Sequence, residues 1–280
     1  MSRSEPAHAV RATTLAAVAV IAMPLLLAAA PAPQAAAPAD AAAAARGLAI
    51  ATEADRRDQG FEDSQVTLRM TLRNRQGDTS VRELRTRALE VADDGDKSLI
   101  TFDTPADVKG TALLSFTHKR GPDDQWLFLP ALKRVKRIAS DNKAGPFMGS
   151  EFAYEDLSSQ EVEKYGYLHL RDETVDGVPM TVIERHPVDP KSGYTRQVVW
   201  LDQAELRVWK VEYYDRKASL LKTLTAAGFQ QHHGKHWRPA TLTMVNHQTG
   251  KSTVLEFSGY RFASGLKDRD FDQNALQNAK

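Results

Sequence analysis

From residue 65 to 73 the chain alternates strictly. Val66, Leu68, Met70 and Leu72 are apolar, and Thr67, Arg69, Thr71 and Arg73 between them are polar. A period of two places these sets on opposite faces of a strand, one toward a core and one toward water, as in an antiparallel sheet. Similar segments at 79–90, 98–102, 111–119 and 126–129 predict strands, as do 167–175, 180–186, 196–202, 208–215, 220–231, 237–246 and 252–262. Turn residues separate them: Gln76-Gly77-Asp78, Asp93 to Asp96, Gly121-Pro122-Asp123, Asp176-Gly177, Asp189 to Gly193, Gly234 and Thr249-Gly250. Strands at this spacing read as a meander, closed or nearly closed. The expected class is mainly β, one twisted antiparallel sheet with one long and one or two short helices. The aligned inward residues are Leu68, Met70, Ile100, Phe102, Leu114, Phe116, Phe128, Trp200, Trp209, Leu242 and Met244. They form either a filled core or the wall of an apolar cavity.

The long helix is expected at 41–59, capped by Asp40 and stopped by Gly60. Leu48, Ile50, Ala51 and Ala54 give it an apolar side, with Glu53, Asp55, Arg56 and Arg57 opposite. A shorter helix is expected within 268–279. Before the long helix lies an apolar run at 13–30, preceded by Arg3 and Arg11 and followed by Ala/Pro-rich sequence with Ala-x-Ala choices. That is the pattern of a secretory signal, with an uncleaved anchor as the alternative. The expected organisation is a signal and linker over 1–37 and one domain over 41–280, exported to the periplasm. The sequence contains no cysteine, so disulfides, thiolate metal sites and a lipidated cysteine are excluded. A net charge of +1 over 280 residues gives no case for nucleic acid.

Residues 126–157 combine apolar and cationic groups unusually closely. Trp126, Leu127, Phe128 and Leu129 lead into Pro130, and Lys133, Arg134, Lys136 and Arg137 follow among Leu132, Val135 and Ile138. After Gly145-Pro146 comes the cluster Phe147, Met148, Gly149, Ser150, Phe152 and Tyr154. Such a stretch suits an amphiphilic ligand. It also suits a buried strand, a solvated strand face and a loop plugged into the core. The loop is a flap hinged at Gly145 and Gly149, or a tight turn anchored by its aromatics. The four cations meet a phosphate headgroup or an acidic partner, or are simply solvated. Met70, Met148, Met180 and Met244 suit an adaptable cavity wall and a plain core equally.

Catalytic motifs are missing. No G-x-S-x-G, P-loop, G-x-G-x-x-G or H-E-x-x-H occurs, and Ser150 lacks an elbow context. The run His232, His233, His236 reads as a hairpin turn with exposed histidines rather than a metal site, and Asp93, Asp94 and Asp96 read as turn chemistry. Glu151, Glu155 and Asp156 could serve as acid or base, but charge at a helix N-terminus or pairing with the basic segment is the simpler account. Neither a cofactor nor a metal is expected.

Three motifs in order, F-x-x-P-A-D-V-K-G-T from Phe102, W-L-F-L-P-A-L-K-R-V-K-R-I from Trp126 and F-M-G-S-E-F-x-Y-E-D-L from Phe147, resemble the outer-membrane lipoprotein-sorting family. The resemblance is to its LolA-like branch of exported proteins, often found beside RND/MMPL-type transporters, and spans residues 45 to the C-terminus. It implies a LolA/LolB-like half-open antiparallel β-barrel with an N-terminal helix and short capping helices. Its hydrophobic cavity would hold a lipid or lipoprotein acyl chains, without chemistry, in a monomer that works with such a transporter. The expected cavity residues are Leu68, Met70, Leu72, Ile100, Phe102, Leu114, Phe116, Trp126, Phe128, Phe147, Met148, Phe152, Trp200 and Met244. The expected headgroup or partner contacts are Lys133, Arg134, Lys136 and Arg137.

Overall fold

The computed structural model describes residues 38–277; the expected signal segment and linker lie outside the described residues. Helix α1 spans Pro38–Asp58. Six strands follow: β1 (Asp63–Arg73), β2 (Thr79–Leu89), β3 (Lys97–Thr104), β4 (Ala112–Phe116), β5 (Asp124–Leu129) and β6 (Arg134–Arg137). An irregular crossing segment with several 3-10 turns leads to β7 (Tyr165–Val175), β8 (Val178–Pro187), β9 (Tyr194–Asp202) and β10 (Val208–Asp215). The chain ends with β11 (Leu220–Ala227), β12 (Gln230–His232), β13 (His236–Arg238), β14 (Thr241–Asn246), β15 (Ser252–Phe262) and the short helix α2 (Gln273–Gln277).

Thirteen strands form one antiparallel sheet in the order β6-β5-β4-β3-β2-β1-β15-β14-β11-β10-β9-β8-β7. The first and last strands of the chain pair with each other, Met70 opposite Leu255 and Leu68 opposite Phe257. This joins the two halves at the middle of the sheet and leaves β6 and β7 as its edges, so the barrel is half-open. α1 covers the β7 edge. At Gly47 a Cβ would sit 2.8 Å from the backbone of Leu168 and His169, so only glycine permits that approach.

Two of the expected strands are each broken in two. Gly228 has φ +68°, and Pro239 cannot donate to a ladder. The 220–231 and 237–246 segments therefore split, and β12 and β13 form a small hairpin sheet of their own, with His232 opposite His236.

The concave face carries the main core. Leu68, Met70, Leu84, Phe102, Leu113, Leu127, Val199, Leu201, Met244 and Leu255 are buried there, and Ile50, Ala51 and Ala54 of α1 pack onto the same cluster. Alternation sends the neighbouring residues outward. Leu99, Ala112 and Leu114 meet Phe271 and Leu276 of the C-terminal segment, while Met180, Val182, Val198 and Trp200 form a third cluster.

Candidate functional site

The crossing segment fills one half of the concave face. Phe147 is fully buried and its ring lies 5.6 Å from those of Phe102 and Tyr154. Met148, at φ +48°, and Gly149, at φ +77°, turn the chain, and the buried Ser150 hydroxyl donates to Phe147 O at 2.7 Å. Ser150 is thus a turn-closing residue. The loop is latched as well as plugged. Lys222 Nζ donates to Asp156 Oδ2 at 2.6 Å and to Glu151 O at 2.9 Å, with both charged side chains 4% exposed. Tyr194 OH donates to the other Asp156 oxygen at 2.8 Å. Asn246 Nδ2 donates to Glu151 Oε2 at 2.7 Å, and Glu155 accepts from Gly193 N and Ser192 Oγ, both at 2.8 Å. The three acids therefore bond to the sheet and its loops rather than to the basic segment, and Glu155 and Asp156 stand in the first turn of the 3-10 helix at Tyr154–Leu157, where Asp156 Oδ2 accepts from Ala153 N at 2.6 Å. Sequence reasoning passed over Lys222. The available signal was its phase: it falls with Leu224 and Ala226 on the inward side of β11.

Of the expected cavity residues, Leu68, Met70, Ile100, Phe102, Phe147, Phe152 and Met244 are buried in one concave cluster, with Leu72 and Met148 against it. Leu114, Phe116, Trp126 and Phe128 belong instead to the outer cluster under α2, and Trp200 to the third. The inward alignment was one residue out of phase on β4, β5 and β9. There Leu113, Leu127, Val199 and Leu201 take the concave positions.

The two largest open spaces border α1. One cavity of about 800 Å³ is walled by Leu206, Trp209, Leu224, Ala226, Phe229, Trp237 and Leu242. A second of about 710 Å³ is walled by Val162, Tyr167, Ile183, Val199 and Leu201. Ala54, Asp58, Phe61, Asp96 and Val208 line both. Trp209 and Leu242, two of the residues expected to face inward, line the first, whereas none of the fourteen residues expected to hold the ligand lines either one.

The two cavities differ in charge. The first is lined by Arg57, Arg207, Lys210, Lys235 and Arg238 with Asp58, Asp96 and Glu205. The second is lined by Asp55, Asp58, Glu62, Glu90, Asp94, Asp96 and Glu161 with Lys119 and Arg185. Burial, then Glu161, Glu90 and Asp58, push the Asp96 carboxyl up from 3.8 to about 7. A folded-state value above the unfolded one favours folding at low pH, and that contribution is lost as pH rises through about 7. Asp96→Asn, neutral throughout, is expected to raise the melting temperature at pH 8 and to change it little near pH 4. Scanning calorimetry across that range checks this, and a pH-independent difference contradicts it.

A family model described only as an uncharacterized protein matches residues 94–278. A solved structure from Vibrio parahaemolyticus, described as an outer membrane lipoprotein-sorting protein domain, is 57% identical. The match covers 84% of this chain and 99% of that one, with a TM-score of 0.82. The chain belongs to the outer-membrane lipoprotein-sorting family. A DUF1329 family protein from Desulfovibrio piger is 32% identical over 84% of this chain and 99% of its own, with a TM-score of 0.79. A LolA superfamily protein from Nitrosomonas europaea shares the fold at 22% identity and a TM-score of 0.66, over 82% of this chain and 98% of its own. No curated protein matches.

In this lipoprotein-sorting family chain the four basic residues of the central motif stand on the hairpin of β5 and β6. A 3-10 turn at Pro130–Leu132 and Lys133 at φ +46° carry the chain into β6. Lys133, Arg134, Lys136 and Arg137 are all exposed, Leu132 beside them is 67% exposed, and Arg137 pairs with Asp124. They are far along the sheet order from α1's β7 edge and line neither of its cavities. The histidine run forms the expected hairpin, but His236 is buried rather than exposed, stacked 5.7 Å from Phe262. Burial lowers the pKa values of His232 and His236. Among the described residues no group of three His, Cys, Asp or Glu could hold a metal ion. No described helix is long and apolar enough to cross a membrane.

Proposed function

We propose that this protein is a non-catalytic periplasmic carrier that shelters the acyl chains of a lipid or lipoprotein in the two cavities flanking α1. The observation that carries this is the pair of cavities, about 800 and 710 Å³, sharing a wall under one helix on the apolar face of a lipoprotein-sorting fold. Both volumes lie in the ~300–1,000 Å³ range of small-molecule sites. Moving about fifteen methylenes out of water is worth about 12 kcal/mol at ~0.8 kcal/mol each, so a carrier needs such a wall and little else. α1 is the element to displace for loading, because it borders both spaces and packs on an edge strand. The basic hairpin at Lys133, Arg134, Lys136 and Arg137 would contact an RND/MMPL-type transporter or its membrane, away from the cargo. The carrier acts as a monomer, exported by the segment before residue 38.

A second reading takes the protein as a docking partner of such a transporter with no cargo. The tight plug of Phe147, Phe102 and Met244 favours it, because half of the concave face is already filled. Native mass spectrometry of protein purified from a periplasmic extract without detergent separates the two. A stoichiometric acylated species is expected. A clean ligand-free mass, with no displacement of a hydrophobic fluorophore by fatty acids or phospholipids, would leave the docking reading.

A further inference from the structure

Arg207 stands out at the larger cavity. Its Nε donates to Asp202 Oδ2 at 2.8 Å, and the Asp202 side chain is 1% exposed. That carboxylate is itself fixed by Glu205 N at 2.7 Å and Trp209 Nε1 at 2.9 Å. The guanidinium lies among three aromatic rings, 4.5 Å from Trp237, 5.1 Å from Phe229 and 5.9 Å from Trp209. The group is thus held at one nitrogen and caged on its faces, while its two Nη atoms make no hydrogen bond among the described residues. The other cations lining this cavity are engaged: Arg57 with Glu53, Lys210 with Glu212, Lys235 with Gln59 O and Arg238 with Asp58.

We propose that Arg207 is an anion-recognition residue, and that the carried amphiphile has an anionic oxygen headgroup, a carboxylate or a phosphate, bound by the two Arg207 Nη atoms. A guanidinium presents two parallel N–H donors that match such a group, and the geometry here is fixed before the ligand arrives. Leu224, Ala226 and Leu242 line the same cavity, so the chain of the amphiphile lies next to its head. The inference rests on the carrier reading and adds the class of cargo.

The test compares acids with neutral counterparts of the same chain. Affinities of the purified protein for palmitate, hexadecanol, dipalmitoylphosphatidic acid and dipalmitoylglycerol are measured by displacement of a hydrophobic fluorophore. Each acid is expected to bind about ten-fold tighter or more than its neutral partner, the size of a charged hydrogen bond. Arg207→Met is expected to remove that preference, so that each acid and its neutral partner bind with equal affinity. Arg207→Lys, which keeps the charge beside Asp202 but not the fork, is expected to reduce the preference several-fold, and it stands in if the Met variant does not fold. The acid that gains more distinguishes carboxylate from phosphate. Equal binding of acid and neutral ligands by the native protein, or an acid preference that persists unchanged in the variants, overturns the inference and leaves the carrier reading intact. Binding of none of the four sinks the carrier reading itself.

Discussion

Lys222→Met is expected to destabilise the protein by about 3–5 kcal/mol, the loss typical when one partner of a buried ion pair is removed. Asp156 would keep the donors Tyr194 OH and Ala153 N but lose its countercharge in a site where both charged side chains are 4% exposed. Lys222 also lies 5.2 Å from the Tyr194 and Tyr213 rings and donates to Glu151 O, so the variant loosens the plug from two sides. Urea unfolding gives the size of the effect. Hydrogen exchange over 144–157 is expected to accelerate before the rest of the sheet. The double variant Lys222→Met with Asp156→Asn is expected to recover much of the loss, because no buried charge is then left unpaired. A change below about 1 kcal/mol in the single variant would mean that the pair does not latch the plug.

Ala54→Trp is expected to weaken acyl binding strongly while the fold persists. Ala54 lines both cavities and points from α1 toward the concave core, so one indole occupies the wall that the two spaces share. The space is already there, which separates this substitution from overpacking a filled core. Loss of affinity by roughly a hundred-fold, about 2.7 kcal/mol, is expected. Thr52→Trp, on the exposed side of the same helix, controls for helix propensity and for a new aromatic group. If Ala54→Trp binds acyl ligands as the native protein does, the cavities beside α1 are not the site. Met70→Asp would be a poor substitute: Met70 is buried in the plugged half of the face, and its loss of binding would report unfolding.

Much of the architecture was readable in the chain. The alternation in β1 and the turn signals predicted the antiparallel strands, because a period of two has only one sheet solution with a single wet face. Gly60 ended the long helix near its observed close at Asp58. The candidate site was less legible. Alternation within a strand says which residues share a face, but it does not say which face is concave; on β4, β5 and β9 the wrong set was placed inside. The plug at Phe147 was legible as a loop of anchored aromatics or as a flap. The choice rested on Lys222 and Asn246, both distant in sequence, as the latch.

The sequence by itself determined the strand-rich class, the first helix and the family, because these depend on local periodicity, composition and motif order. Tertiary structure alone decided where empty space remains. The β1–β15 pairing closes a loop of nearly the whole domain, and the seat of α1 on β7 depends on the missing Cβ of Gly47. A cavity is the volume that such long-range packing fails to fill, so no single segment encodes it. The same holds for Arg207, whose free fork arises because Asp202, Trp209, Phe229 and Trp237 from successive strands and turns meet around one guanidinium.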